Sequence, residues 1–264
     1  MSAATESVEG TERTTRAGIY MYAVLPSDVE VDSEARGVGD PPAPVKLVRH
    51  DKIAALVSEI DVERPLGRPD ELLAHERLLD ATAAEVPVLP IRFGAVLADK
   101  GAVVDEFLAP HHDEFDAALQ ELDGKAEYIV RVRYVEAAVL GEIVRENPEV
   151  ARLREAIRGK PEDVTRNERM RLGELINQAI EAKRQADTQK LTEVLTPLSV
   201  GVNVREPSHE LDAANVAALV ETAREAELVK AVEGAARDWD GRAKLRLLGP
   251  LAPYDFVTAL KPEG

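Results

Sequence analysis

Residues 125–134, KAEYIVRVRY, carry the clearest strand pattern in this chain of 264 residues. Side chains on a strand alternate between two faces, and here every second position is large and apolar: Tyr128, Val130, Val132 and Tyr134. The positions between them are mainly charged: Glu127, Arg131 and Arg133. The segment therefore predicts a strand with an apolar face and a charged face.

A long helical section follows this strand. One helix runs to Asn147, and Asn147 caps the next helix because Pro148 suits the first helical position. A further helical stretch covers about Asp163 to Leu195, where apolar residues recur at helical spacing, and Pro197 ends it.

Two strands, a helix and a last strand complete the C-terminal half. Residues 198–205 alternate in polarity, and the apolar run Val216–Val220 predicts the next strand. Thr222 and Glu225 form a capping box that opens a helix ending near Trp239. Residues 243–247 alternate again, and Gly249-Pro250 closes this final strand.

This order of elements is the split βαβ, or ferredoxin-like, order with an inserted helical hairpin. It predicts one antiparallel sheet of four strands with helices on one face.

The N-terminal half predicts a separate α+β domain. Residues 17–25 form a strand, and residues 45–49 and 52–60 form a hairpin that turns at His50-Asp51. A helix capped by Asp70 runs to Glu85, with an apolar stripe of Leu72, Leu73, Leu78 and Leu79. An extended run over 86–94 carries two prolines, and a helix over about 103–122 bends at Pro110.

The sequence thus predicts an α+β protein of two domains. A disordered leader covers residues 1–16, because this stretch is polar and lacks the apolar core of a signal peptide. The first domain covers 17–123 and the ferredoxin-like domain covers 124–248. A C-terminal strap and tail, called the strap below, covers 249–264.

Composition excludes several classes of protein. With 45% hydrophobic and 31% charged residues the chain is too polar for a membrane protein and too apolar for a disordered one. It has no cysteine, which excludes disulfides, thiolate metal sites and cysteine nucleophiles and fits a cytoplasmic location. The net charge of −16 opposes binding to nucleic acid or to an anionic membrane surface.

Charge is unevenly spread along the chain. Residues 103–123 contain seven acids and no Lys or Arg, whereas residues 149–190 contain eight acids and ten bases. One face or end of the molecule is expected to be strongly negative and another mixed. Solvated surface is the favoured interpretation of such runs.

Motifs for catalysis are missing from the sequence. There is no phosphate-binding glycine loop, and His75-Glu76 does not continue into a zinc motif because Leu79 stands where the second histidine belongs. A hydrogen-bonded, partly buried histidine is the favoured interpretation of His75. His111 and His112 are adjacent and poorly placed to share a metal, so a solvated pair is favoured there. No catalytic residue, metal or cofactor is predicted.

Two short segments carry unusual chemistry. Arg92 lies between Ile91 and Phe93 in an apolar run, where we favour an ion pair that joins the domains over a recognition role. Prolines and aromatics combine in GPLAPYDF (residues 249–256), where we favour packing on the adjacent domain; a rigid apolar docking surface is compatible with it. The candidate partner-binding or interdomain residues are Arg92, Phe93, Gly94, Pro250, Pro253, Tyr254 and Phe256.

These same segments resemble a known family. VLPIRFGAVL (residues 88–97) resembles the LPxRFG block of the gas vesicle protein F/L family, and GPLAPYDFV (residues 249–257) resembles its GPxPPYxFV block. Ala252 departs from that block, because the family usually has proline at this position. The alanine is expected to loosen apolar packing there. The resemblance spans about residues 18–257.

The resemblance implies two α+β domains, the second related to the ferredoxin fold, and a non-enzymatic accessory role in gas vesicle assembly. Its implied partners are the small hydrophobic shell subunit, gas vesicle protein A, and other gas vesicle proteins. Two alternatives stay open: a small-molecule-binding or sensor protein, with a pocket near His75, Arg92 and Tyr254, and a minor structural component of the vesicle. The expected location is cytoplasmic and gas vesicle-associated.

Overall fold

The computed structural model describes residues 17–257 and divides them into two compact units. The first unit contains residues 17–78 and 91–117, and the second contains residues 79–90 and 118–257. The expected leader, residues 1–16, and the end of the strap, residues 258–264, lie outside the described residues. Helices combine with antiparallel sheets throughout, so the protein is α+β.

The first sheet is built around a central strand that is almost entirely buried. Its elements are β1 (Ala17–Pro26), β2 (Val45–His50), β3 (Ile53–Asp61), β4 (Leu89–Pro90) and β5 (Val96–Leu97). The strand order is β2-β3-β1-β4, and β5 also pairs with β1. The predicted β2–β3 hairpin is confirmed, and Asp51 makes its turn at a φ of 49°.

Helix α1 (Pro69–Ala83) starts differently from the sequence prediction. It begins at Pro69, and Asp70 lies inside its first turn. The carboxylate of Glu71 accepts the backbone N–H groups of Gly67 and Arg68, at 3.0 Å each, and pairs with Arg64. The Glu71 carboxylate, and not an Asp70 cap, therefore holds the start of the helix.

The predicted leucine stripe of α1 is wrong in its first turn. Leu72 and Leu73 are 40% and 47% exposed. The buried positions of this helix recur every four residues, at Glu71, His75, Leu79 and Ala83. Glu71 and His75 lie on the buried face because each has a hydrogen-bond partner there. Sequence periodicity does not reveal such partners.

The next helical segment is broken into three parts, whereas the sequence predicted one helix that bends at Pro110. It contains α2 (Lys100–Ala102), a π-helical turn over Val103–Leu108, and α3 (His112–Leu122). Asp99 caps α2 by accepting the N–H of Ala102 at 2.9 Å. Pro110 lies in the break between the π-helical turn and α3 because it has no N–H to continue the ladder.

The second unit contains four strands and most of the helices. They are β6 (Lys125–Tyr134), α4 (Glu136–Glu146), α5 (Pro148–Ile157), α6 (Arg166–Leu195), β7 (Gly201–Val204), β8 (Asp212–Glu221), α7 (Glu225–Asp238) and β9 (Ala243–Leu251). All neighbouring strands are antiparallel, in the order β7-β8-β6-β9. The predicted cap of α5 is confirmed, because the Asn147 side chain accepts the N–H groups of Glu149 and Val150.

One face of this sheet forms the main hydrophobic core. Tyr128, Val130, Val132 and Tyr134 of β6 all lie in it, as their alternation predicted. They pack with buried side chains of β8 and of the helices, among them Val139, Leu191 and Leu228.

Two local predictions in this unit are wrong. Helix α7 begins at Glu225 and has no side-chain cap, because the Thr222 hydroxyl donates to the carbonyl oxygen of Gly124 at 3.1 Å. Strand β9 does not end before Gly249-Pro250 but continues to Leu251. A register shift between Glu127 and Ile129 of β6 lets it accommodate these residues.

Gly249 lies in this irregular part of β9 because no larger residue fits. Its φ is +144°, and a Cβ there would lie 2.5 Å from Cδ1 of Tyr128 and 3.0 Å from the carbonyl oxygen of Glu127. We expect Gly249→Ala to lower the free energy of unfolding by about 2–3 kcal/mol, measured by urea denaturation.

Gly173 provides the control for this substitution. It lies within α6, and a Cβ there would meet nothing within 4 Å. Gly173→Ala should leave stability unchanged or raise it by up to about 1 kcal/mol, because alanine favours helix. Equal effects at both positions would contradict the proposed clash.

Candidate protein-binding segments

The backbone of residues 91–94, called the RFG segment, is held in place from three directions. The Ile91 N–H donates to the carbonyl oxygen of Tyr22 at 2.8 Å. The Ile91 carbonyl oxygen lies 3.1 Å from Nε2 of His75, and the Gly94 N–H donates to the Tyr20 hydroxyl at 3.3 Å. Strand β1 and helix α1 therefore position the segment together.

The tautomer of His75 follows from its partners. A carbonyl oxygen only accepts hydrogen bonds, so Nε2 carries the hydrogen and donates to Ile91. Nδ1 then accepts from the Tyr20 hydroxyl at 2.9 Å. Burial lowers the pKa of His75 to about 4, so the ring is neutral at pH 7. The preferred interpretation of His75, a hydrogen-bonded core histidine, is confirmed.

The side chains of the RFG segment differ in exposure. Phe93 is half-buried, and its ring meets those of Tyr20 and His75 at centroid distances of 5.8 Å and 5.6 Å. Arg92 is exposed and makes no hydrogen bond or ion pair with residues 17–257. The interdomain ion pair favoured from the sequence stays a prediction. Gly94 has a φ of +93°, which favours glycine.

The strap is anchored on the second unit by its backbone. The N–H of Asp255 donates to Oε2 of Glu127 at 2.9 Å, and its carbonyl oxygen accepts the Asn203 amide at 3.3 Å. The carboxylate of Asp255 lies 3.3 Å from Nη1 of Arg205. The N–H of Ala252 donates to Asp80 at 3.1 Å. These contacts bind the strap to β6, to β7, to Arg205 after β7, and to Asp80 of α1.

The strap residues named from the sequence have different environments. Pro250 lies in β9, Pro253 is buried, and Tyr254 is 38% exposed. The ring of Phe256 packs beside Gly201 of its own unit, where a Cβ would lie 3.2 Å from it. Of these four side chains, Tyr254 presents the most surface to a partner.

A buried carboxyl pair beneath the strap was missed by the sequence analysis. Glu127 lies on the charged face of β6 but is only 2% exposed. Burial, together with the hydrogen bond to the Asp255 side chain, raises the pKa of Glu127, while Arg205 acts in the opposite direction. The aspartate between two aromatics of the strap was the only signal in the sequence.

The candidate residues therefore fall into two groups. Arg92, Phe93 and Gly94 lie together in the first unit, and the four strap residues lie in the second.

Across residues 17–257 no cluster of three or more histidines and acids is arranged to hold a metal ion. His111 and His112 lie beside Glu114 and Asp113 respectively. No helix in the same range has the length and apolarity needed to cross a membrane.

Comparison with known proteins assigns the chain to a class. The family model "Gas vesicle synthesis protein GvpL/GvpF" matches residues 18–258. Gas vesicle protein F of Streptomyces sp. (strain CB03234) is 33% identical over 242 residues, which cover 90% of this chain and 98% of that protein. Gas vesicle protein L of the same organism is 29% identical over 267 residues, covering 90% and 92%.

The crystal structure of the gas vesicle protein GvpF from Anabaena sp. PCC7120 has a TM-score of 0.74 and 25% identity. That match covers 92% of this chain and 98% of the other. The chain belongs to the gas vesicle GvpL/GvpF family, so the resemblance noted in the sequence is confirmed and its role is related to gas vesicles.

The lowered pKa of His75 predicts a loss of stability in acid. Above pH 6.5 the ring is neutral in both states, whereas between pH 6.5 and 4 the unfolded chain binds a proton that the folded protein does not. We expect unfolding free energy to fall by about 2 kcal/mol from this group between pH 7 and pH 5. His75→Phe should remove that part of the pH dependence, measured by urea denaturation at both pH values. An unchanged pH dependence in the variant would contradict the assignment.

The raised pKa of Glu127 predicts the opposite change, a loss of stability as pH rises. Its contribution to stability is complete below the ordinary glutamate pKa and is lost as pH rises towards its raised value in the folded protein. Glu127→Gln keeps an acceptor for the Asp255 N–H without ionising. We expect it to raise unfolding free energy at pH 7 by about 1–3 kcal/mol, with the gain vanishing near pH 4.5.

Glu59→Gln on β3 is the matched control for that substitution, because Glu59 is an exposed strand residue. It should change stability by less than about 0.5 kcal/mol. A destabilising effect of Glu127→Gln at pH 7 would show that the carboxylate is ionised and needed there.

Proposed function

We propose that this protein is a non-enzymatic accessory protein of gas vesicle assembly. It binds the hydrophobic shell subunit, gas vesicle protein A, and other gas vesicle proteins during nucleation or growth of the shell. It acts in the cytoplasm and at the gas vesicle. Membership of the GvpL/GvpF family supports the gas vesicle role.

The observation that carries the proposal is the geometry of the RFG segment. Its backbone is fixed by Tyr20, Tyr22 and His75, yet it presents the exposed guanidinium of Arg92 next to the half-buried ring of Phe93. Arginine and aromatic residues are enriched among the residues that dominate protein interfaces. A backbone that is already fixed loses little conformational freedom on binding.

The charge of the chain suits this role. A shell subunit that assembles through apolar strands is prone to aggregate before it is incorporated. A partner with a net charge of −16 would keep such complexes apart by repulsion. The same charge opposes nucleic-acid and anionic membrane partners.

We also propose that the second unit is a ferredoxin-like domain with an inserted helical hairpin. The strand order β7-β8-β6-β9, with three helices between β6 and β7 and one between β8 and β9, supports this assignment. The enlarged first connection contains α4, α5 and α6.

A cavity of about 560 Å³ bears on the small-molecule alternative. Its lining includes Trp239, Lys190 and Arg242. Arg242 pairs with Glu142 at 2.9 Å and with Asp187 at 2.8 Å, and Lys190 lies 3.8 Å from Asp187. Its cations are thus already engaged by protein carboxylates, and this disfavours capture of an anionic ligand.

The experiment is co-expression with tagged gas vesicle protein A, followed by co-purification at low and moderate salt. We expect a complex, and we expect Arg92→Ala to reduce the recovered protein at least fivefold, because the exposed guanidinium would be buried at the interface. Recovery should fall with salt if the charge carries the contact.

Lys46→Ala is the control, because Lys46 is an exposed cation on β2, at the opposite edge of the first sheet from β4. It should leave recovery unchanged. Equal recovery with Arg92→Ala would contradict the role of the RFG segment. Failure to obtain any complex would contradict binding to the shell subunit. A ligand-dependent rise in melting temperature would then favour the sensor alternative.

A further inference from the structure

Three helices of the second unit form an apolar groove. Its volume is about 290 Å³, and its lining comes from α4, α5 and α6. The lining residues are Ala137, Leu140, Gly141, Val144, Val150, Arg154, Leu172 and Ile176. All but one of them are apolar or small.

The lining residues of the groove follow helical spacing on two of the three helices. On α4 the lining residues form two rows with a spacing of four, Ala137 with Gly141 and Leu140 with Val144. On α6 the same spacing separates Leu172 from Ile176. The small side chains on α4 allow another backbone to approach closely. An apolar groove lined by such rows fits the apolar face of a helix.

Two unpaired cations border this groove. Arg154 lines it from α5, and Nη1 of Arg145 lies 3.4 Å from the position that a Cβ on Gly141 would occupy. Both side chains are exposed, and neither makes a hydrogen bond or ion pair with any residue between 17 and 257. In contrast, the nearby Arg171 is paired with Glu149 at 3.5 Å and with Glu174 at 3.3 Å.

We propose that this groove binds an amphipathic helix of a partner protein that carries acidic residues beside its apolar face. The apolar side chains of that helix fill the groove, and its carboxylates pair with Arg145 and Arg154. Charge complementarity selects the partner, since two free arginines on a chain of net charge −16 favour an anionic helix at this place and repel a cationic one.

A second copy of this chain offers no equivalent helix in its acid-rich region. Helix α3 has the required acidic residues, but its apolar residues Phe115, Leu119 and Leu122 are at most 5% exposed. The proposed occupant is a different protein. The inference does not depend on binding to gas vesicle protein A, because its test uses neither that subunit nor the RFG segment.

The test measures binding of two fluorescein-labelled helical peptides of 18 residues to the full chain by fluorescence anisotropy. Both carry leucine on one face, and they differ only in glutamate or lysine beside it. We expect the glutamate peptide to bind at least tenfold more tightly than the lysine peptide, with affinity falling as salt rises. Equal affinity for both peptides would overturn the proposal.

Variants locate the binding site. Gly141→Leu fills the groove, and replacing glycine within a helix favours folding. We expect this variant, and separately Arg145→Glu combined with Arg154→Glu, to weaken binding of the glutamate peptide at least tenfold. Arg152→Glu is the control because Arg152 is an exposed residue of the same helix, α5, outside the groove lining.

Ala137→Leu serves as a second groove-filling variant if Gly141→Leu lowers the melting temperature. Unchanged peptide binding in a folded groove-filling variant would overturn the proposal. So would self-association of the wild type that Gly141→Leu abolishes, because the occupant would then be a second copy. Neither result bears on co-purification with gas vesicle protein A.

Discussion

The first unit depends on a buried chain of hydrogen bonds that runs from Gly94 through Tyr20 and His75 to Ile91. Each group in it has one role that its chemistry allows: an N–H donates to a hydroxyl, the hydroxyl to an imidazole nitrogen, and the other ring nitrogen to a carbonyl. Removing any member would leave a buried polar group without its partner, which costs more than the net gain of the bond. Strand β1 and helix α1 thereby define where the RFG segment lies and which of its side chains face solvent.

The second unit is organised around a strand that is covered on both faces. The apolar face of β6 packs into the core under the helices, and the strap binds Glu127 on the opposite face. A carboxyl group on that face loses its water and therefore retains its proton more strongly. Buried polar groups thus occur in both units, with opposite effects of pH on stability.

The two binding surfaces proposed for this chain share one feature, exposed arginine side chains. The RFG segment combines a fixed backbone with an exposed arginine, and the apolar groove of α4, α5 and α6 combines small side chains with two unpaired arginines. This chain has a large excess of acidic residues, so an anionic group of a partner binds most favourably beside such isolated cations. The two surfaces lie in different units, so one chain can offer two independent contacts.

The sequence determined most of the strands, the β2–β3 turn and the family, because these depend on local signals. Alternation in residues 125–134 placed the correct side chains of β6 in the core, Asn147-Pro148 marked the start of α5, and Pro110 marked a break before α3. The two blocks that carry the family resemblance are also contiguous in sequence. Such features need no knowledge of distant neighbours.

Tertiary structure alone decided the environment of individual side chains. Thr222 bonds to Gly124 instead of capping α7, Leu72 and Leu73 face solvent, and Arg92 has no ion pair among the described residues. Glu127 is buried because residues more than a hundred positions later in the chain cover it. Helical and strand periodicity state which residues share a face, but burial depends on what packs against that face, and those contacts join segments that are far apart in sequence.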